Sequence, residues 1–183
     1  MWLAGVALAT WSCAPEREPE PGVSEAQFRL TASIEEVMRY LVDPAADSIW
    51  NAVVTEVTAA GVNEHAPTTD EEWEALRGHA ITLVEATNLL LMEGRRVAAP
   101  GSRSEMPGVD LEPEQIEALL AADRGAWNAF VGGLHATGTT VLAAIDAKNV
   151  DGLLVAGDEL DLACENCHVR YWYPSLAPAD STR

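Results

Sequence analysis

The chain has 183 residues, a length typical of one domain, and 29 acidic against 11 basic residues give it a formal charge of −18 at pH 7. This charge excludes a sequence-independent nucleic-acid binder, which needs a basic surface for the phosphates. It also argues against docking on an anionic membrane through a polybasic patch. The hydrophobic fraction of 48% is too high for a disordered chain, and the alanine-rich composition favours helices.

The N-terminus predicts an exported protein. Residues 1–12 are uncharged and apolar but too short to span a bilayer, which takes about 20 apolar residues. Cys13 follows Ser12 in a pattern that resembles a bacterial lipobox, from which Trp11 departs. We therefore expect a signal peptide ending at Cys13, with this cysteine as a candidate lipid anchor; a plain cleaved signal peptide is the alternative. The proline-rich, charged residues 14–30 predict an extended tether.

Four helical segments are predicted between residues 31 and 174, and no stretch alternates convincingly as a strand does. The first is expected from Thr31 to about Ala60, with Ser33 as the N-cap. Pro44 should interrupt it, because proline lacks a backbone donor and clashes with the preceding turn. A loop follows.

The second and third helices carry recognisable start signals. Thr69 and Glu72 have the spacing of a capping box, and Gly94 suits the end of the second helix. A long loop leads to Pro113, a favoured first helical position, and the third helix is expected to continue to about Ala147.

The fourth helix is expected to be capped by Asn149 and stopped by Pro174, with residues 175–183 as a C-terminal tail. Four helices with short or moderate connections predict an all-α, up-down-up-down four-helix bundle. In that topology the start of the first helix and the end of the fourth lie at the same end of the bundle.

Cys164, Cys167 and His168 form the sequence C-x-x-C-H, which is the attachment motif for c-type haem. Positions i, i+3 and i+4 fall on one face of a helix. Two thiols so placed can reach two vinyl groups on one porphyrin edge, and the imidazole can reach the iron. The motif therefore predicts one covalent haem with His168 as the axial iron ligand.

Two other interpretations of the cysteine pair remain open. A thiol-disulfide redox motif is expected within a βαβ unit, which this sequence does not indicate. A zinc site needs further thiols or histidines at matched spacing, and none lies nearby. The odd number of cysteines also argues against a simple disulfide framework.

A C-terminal C-x-x-C-H on the last helix of an all-α chain resembles the class II c-type cytochromes, the cytochrome c-prime family. The resemblance covers about residues 31–174. It implies a haem at one end of a four-helix bundle, with Cys164 and Cys167 as thioether sites and His168 as proximal ligand. Relatives often carry a Tyr-Arg pair after the motif, whereas this chain has the run Arg170-Tyr171-Trp172-Tyr173-Pro174. The resemblance implies that these aromatic residues shield the haem edge, and the alternative is that they pack the end of the helix. Family members are often homodimers through their first two helices.

Members of this family differ in function according to the residue at the sixth coordination position of the haem iron. A methionine on the first helix gives a low-spin electron carrier, and an apolar residue leaves the iron open to gases such as NO or CO. Met38 has the expected place and is the candidate ligand; its alternative role is to fill a gap in the core. Met92 and Met106 are weaker candidates.

The favoured function is one-electron transfer by an exported, periplasmic cytochrome, and the alternative is a five-coordinate haem protein that binds small gases. A peroxidase would need a distal His/Arg pair at a characteristic spacing, and the sequence has no such pair. We therefore expect that the protein is not an enzyme. Arg95, Arg96 and Arg103 are candidate partners for haem propionates, and the alternative is that they are solvated charges of the loop. His65, His79 and His135 are not expected to bind iron. The acidic charge predicts a redox partner with a basic face.

Overall fold

The computed structural model describes residues 28–174, which are mostly helical and confirm the all-α class. Cys13, the signal peptide, most of the tether and the C-terminal tail lie outside the described residues. The elements are, in chain order, α1 (Ile34–Val37), a π-helical segment (Met38–Val42), α2 (Asp43–Trp50), β1 (Val54–Thr58), β2 (Gly61–His65), α3 (Asp70–Leu91), α4 (Pro113–Ala122), α5 (Arg124–Asp146) and α6 (Val150–Tyr171).

The first helical run differs from the prediction at both its middle and its end. Pro44 does not break the helix; the turn before it widens into the π-helical segment, and α2 then begins at Asp43. The predicted continuation to Ala60 is wrong, because helix ends at Trp50 and an antiparallel hairpin of β1 and β2 follows. The β-branched residues of this stretch favour strands, and its apolar spacing is compatible with either structure.

The predicted third helix is two helices. Asp123, with φ −145° and ψ 77°, leaves the helical region between α4 and α5. Its carboxylate accepts a hydrogen bond from the Ala126 N–H at 2.9 Å and so caps α5. The predicted caps Ser33, Thr69 and Asn149 are confirmed, because each side chain accepts a hydrogen bond from the backbone of the first turn.

Four helices pack in a closed cycle: α2 against α3, α3 against α5, α5 against α6, and α6 against α2. The helix α4 packs against α5 and α6. Gly138 allows α5 to pack closely on α3, since a Cβ there would lie 2.7 Å from Leu83 Cδ2. Within residues 28–174, no helix has the length and apolar character needed to cross a membrane.

The buried residues form two clusters along the helices. One contains Leu83, Val141 and Leu160, and the other contains Leu90 and Trp127 together with Cys167 of the predicted motif. The second cluster lies next to the site described below, so the packing of the helices and the geometry of that site are linked.

Candidate functional site

The three residues of the predicted motif lie in the last turns of α6 and face one cavity of about 510 Å³. Cys167 is buried, and Cys164 and His168 are half-buried. The cavity volume is within the range of small-molecule sites, about 300–1,000 Å³. Helical spacing has therefore brought both thiols and the imidazole to a space that could receive a ligand.

The remaining cavity wall comes from every other helical element and is largely apolar. The residues that close it include Ile34, Val42, Leu90, Val97, Ile116, Leu120, Trp127, Phe130, Val131 and Tyr171. Trp127 donates a hydrogen bond from Nε1 to the Leu90 carbonyl at 3.1 Å, which joins α5 to the end of α3 within this wall. An apolar wall excludes water, as a hydrophobic planar group would require.

The two cysteines are free thiols with strongly raised pKa values. Burial, followed by the charge of Asp161, raises the pKa of Cys164 to about 11. Burial and the neighbouring Cys164 raise the pKa of Cys167 to about 12. Redox-active C-x-x-C pairs have a lowered thiol pKa, so these surroundings argue against the dithiol interpretation.

His168 lies in an aromatic and partly buried environment. Burial lowers its pKa, and the carboxylates of Glu165 and Asp43 oppose that shift. The imidazole is therefore favoured in its neutral form, which is the form that binds metals. Its ring makes edge contacts with Trp172 and Tyr173, at centroid distances of 5.1 and 5.9 Å. Both rings belong to the aromatic run that follows the C-x-x-C-H motif.

Of the three methionines considered as iron ligands, Met38 alone lines the cavity. It is half-buried and is the first residue of the π-helical segment. Met92 is the C-cap of α3, and its sulfur accepts a hydrogen bond from Arg95. Met106 is in the loop before α4 and is 53% exposed. The structure thus brings Met38 together with the motif and does not bring Met92 or Met106 there.

Of the three arginines predicted to pair with haem propionates, only one lines the cavity. Arg95 donates to the carbonyls of Leu89 and Ala32, and Arg96 pairs with Glu117 at 3.4 Å. Arg103 lines the cavity and forms no ion pair within residues 28–174. It is therefore the one of the three with a free guanidinium at the site.

Two buried hydroxyls in the cavity wall were not predicted as site residues. The oxygens of Tyr171 and Ser104 are inaccessible to solvent and have no hydrogen-bond partner within the described part of the chain. Buried polar atoms are nearly always paired, so both are candidate donors to a polar ligand group. The spacing could have indicated Tyr171, which is four residues after Cys167 on the same helical face.

The remaining histidines do not join this site. His65 lies on β2 rather than in the predicted loop, and His135 Nδ1 is 2.8 Å from the Thr87 hydroxyl. Within residues 28–174 there is no group of three or more His, Cys, Asp or Glu side chains that could hold a metal ion. A haem needs only one or two protein ligands, because its porphyrin supplies four nitrogens.

Comparisons of the chain with protein-family models, with curated proteins and with solved structures found no match. The assignment of the site therefore depends on its own residues.

Proposed function

We propose that this protein is an exported mono-haem c-type cytochrome that acts in one-electron transfer. The haem would be bound through thioether bonds to Cys164 and Cys167, with His168 as the axial ligand. The observation that carries the proposal is that both thiols and the imidazole line a single cavity of about 510 Å³. The free thiols, the ligand-competent imidazole and the apolar wall fit a covalent haem.

We further propose that the helices form an up-down-up-down four-helix bundle of the cytochrome c-prime type. The closed cycle of contacts among α2, α3, α5 and α6 supports this arrangement. The first helix of that bundle would be the run from α1 through α2, which includes Met38. Residues 31–174 would then be the cytochrome domain.

The iron, when bound, would supply the one-electron couple. Met38 would be the sixth ligand, and iron held by a methionine together with a histidine has a raised reduction potential. Arg103 would pair with a propionate through a charge-assisted hydrogen bond. The apolar side chains of α3, α4 and α5 would exclude water from the porphyrin faces. None of these roles is catalytic, so we propose that the protein is not an enzyme.

The second candidate function is a five-coordinate haem protein that binds NO or CO. The observation that favours it is the apolar character of the wall around Met38, which includes Val42, Leu90 and Val131. If the Met38 thioether does not bind iron, a small neutral gas could enter this space. The two functions differ in the sixth ligand and share the other three site residues.

Expression of the full chain in the periplasm of a host with haem-maturation machinery tests the proposal. Mass spectrometry should find one covalently added haem, and Cys164→Ser together with Cys167→Ser should abolish the addition. A matched substitution, Ser104→Ala, changes the cavity wall without removing a thiol and should retain covalent haem. Recovery of the wild-type chain without haem would contradict the proposal.

Absorption spectra then separate the two functions. The wild type should be low-spin, with the weak red band of methionine ligation, and Met38→Ala should convert it to high-spin. Met92→Ala is the matched control, because Met92 is outside the cavity, and its spectrum should be unchanged. A high-spin wild-type spectrum that shifts on addition of CO would establish the gas-binding alternative instead.

We propose a periplasmic protein, anchored by lipid on Cys13, with a redox partner that presents a basic face. Electron exchange with such a partner should slow as salt rises, because the attraction is screened. Cys13→Ser should release the protein from membranes if this cysteine is lipidated; unchanged fractionation would contradict lipid anchoring.

A further inference from the structure

The ring nitrogens of His168 form no hydrogen bond that would fix the orientation of the imidazole. A metal-binding histidine almost always donates its second ring N–H to a partner such as a carboxylate or a backbone carbonyl, and that bond sets the plane of the ring. Within residues 28–174, neither ring nitrogen of His168 has a protein hydrogen-bond partner. Other contacts must therefore hold this side chain if its plane is fixed.

Two aromatic rings that follow the motif pack against the imidazole. The centroids of the His168 and Trp172 rings are 5.1 Å apart, those of His168 and Tyr173 are 5.9 Å apart, and those of Trp172 and Tyr173 are 5.4 Å apart. All three distances are in the range of favourable aromatic pairs, so these residues form one ring cluster. The imidazole cannot turn about its side-chain torsions without disturbing both of its contacts.

Hydrogen bonds tie this ring cluster to the motif and to a second part of the fold. The Tyr173 hydroxyl donates to Glu165 Oε2 at 2.7 Å, and Glu165 lies between the two cysteines of the motif. The N–H groups of Trp172 and Tyr173 both donate to the His168 carbonyl, at 2.7 and 3.0 Å. The Leu111 N–H donates to the Trp172 carbonyl at 2.7 Å, so the loop before α4 also holds the cluster in place.

We propose that Tyr173 is a positioning residue for His168: its ring, held by the hydrogen bond to Glu165, fixes the plane of the imidazole. A hydrogen bond to a carboxylate is stronger than one between neutral groups. The Trp172 side chain, by contrast, forms no hydrogen bond within the described residues and is 40% exposed. The inference rests on the proposed function, in which His168 is the axial ligand, because contacts that orient such a ligand tune the metal.

Electron paramagnetic resonance of the ferric, haem-loaded full chain tests the proposal, because the g values of the iron respond to the plane of its axial ligand. Tyr173→Phe keeps the ring but removes the bond, and Glu165→Ala removes the acceptor, so each should shift the g values in the same direction. Glu165→Gln loses the charge but keeps an acceptor oxygen, and it should retain the wild-type g values. Tyr40→Phe is the matched control, since Tyr40 is 67% exposed and does not line the cavity.

A double-mutant cycle in the haem-free full chain tests the hydrogen bond separately. Tyr173→Phe and Glu165→Ala should have non-additive effects on the free energy of unfolding, because both remove the same bond. Additive effects would overturn the inference, as would a coupled pair whose single variants keep the wild-type g values, and in both cases the proposed function would stand. A chain that binds no haem would refute the proposed function, and this inference with it, whatever the cycle shows.

Discussion

Replacement of Gly138 by alanine tests how closely α5 approaches α3. The added Cβ would lie 2.7 Å from Leu83 Cδ2 and 3.0 Å from Val84 Cγ2. Both neighbours are on α3, and Leu83 is fully buried, so it cannot move freely. Such overpacking costs about 1–3 kcal/mol, and the better helix propensity of alanine offsets about 1 kcal/mol of this.

Gly132 provides a matched control on the same helix. It is exposed, and a Cβ there meets nothing within 4 Å. Gly132→Ala should therefore stabilise the protein by about 0.5–1 kcal/mol. The free energies of unfolding of the two variants should differ by about 1–3 kcal/mol, with Gly138→Ala the less stable.

Guanidinium denaturation followed by circular dichroism measures this difference, provided that the slope with denaturant stays constant. In a double-mutant cycle, Leu83→Ala should be less destabilising beside Ala at 138 than alone, with a coupling of about 0.5–3 kcal/mol. If Gly138→Ala were as stabilising as Gly132→Ala, this would contradict the close packing of α5 on α3 at Gly138.

Three further predictions concern single groups. Tyr171→Phe should leave the free energy of unfolding of the haem-free chain unchanged or raise it by up to about 1 kcal/mol, because it removes an unpaired buried hydroxyl. A loss of more than about 1 kcal/mol in urea unfolding would indicate that this hydroxyl has a hydrogen-bond partner. Trp50→Phe should cost about 0.5–1.5 kcal/mol in the same assay, since it removes the 3.0 Å bond from Nε1 to the Gly157 carbonyl, and an unchanged midpoint would contradict that bond. The backbone N–H groups of Thr68 and Thr69, just before α3, lower the pKa of Glu72 to about 2. Its charge should therefore stabilise the fold above about pH 4.5, and this contribution should be lost as the pH falls towards 2. Glu72→Gln should remove that part of the pH dependence of the melting temperature, and an unaltered acid profile would disprove it.

Local chemistry allowed several features to be predicted from the sequence. The caps at Ser33, Thr69 and Asn149 depend on side chains within one turn of the groups they bind, so no tertiary information is needed. Prediction failed where a local pattern fits two structures. The stretch after Trp50 has apolar spacing compatible with a helix, but its β-branched residues form a hairpin. At Asp123 the side chain caps a new helix instead of continuing an old one.

The same distinction applies to the candidate site. The sequence by itself determined the mostly helical class and the placement of Cys164, Cys167 and His168 on one helical face, because these depend on residues close in the chain. Only the tertiary structure decided that Met38 and Arg103 line the cavity beside them, while Met92, Arg95 and Arg96 do not. Those positions depend on how helices far apart in sequence pack and on where the connecting loops return, which spacing along the chain does not specify.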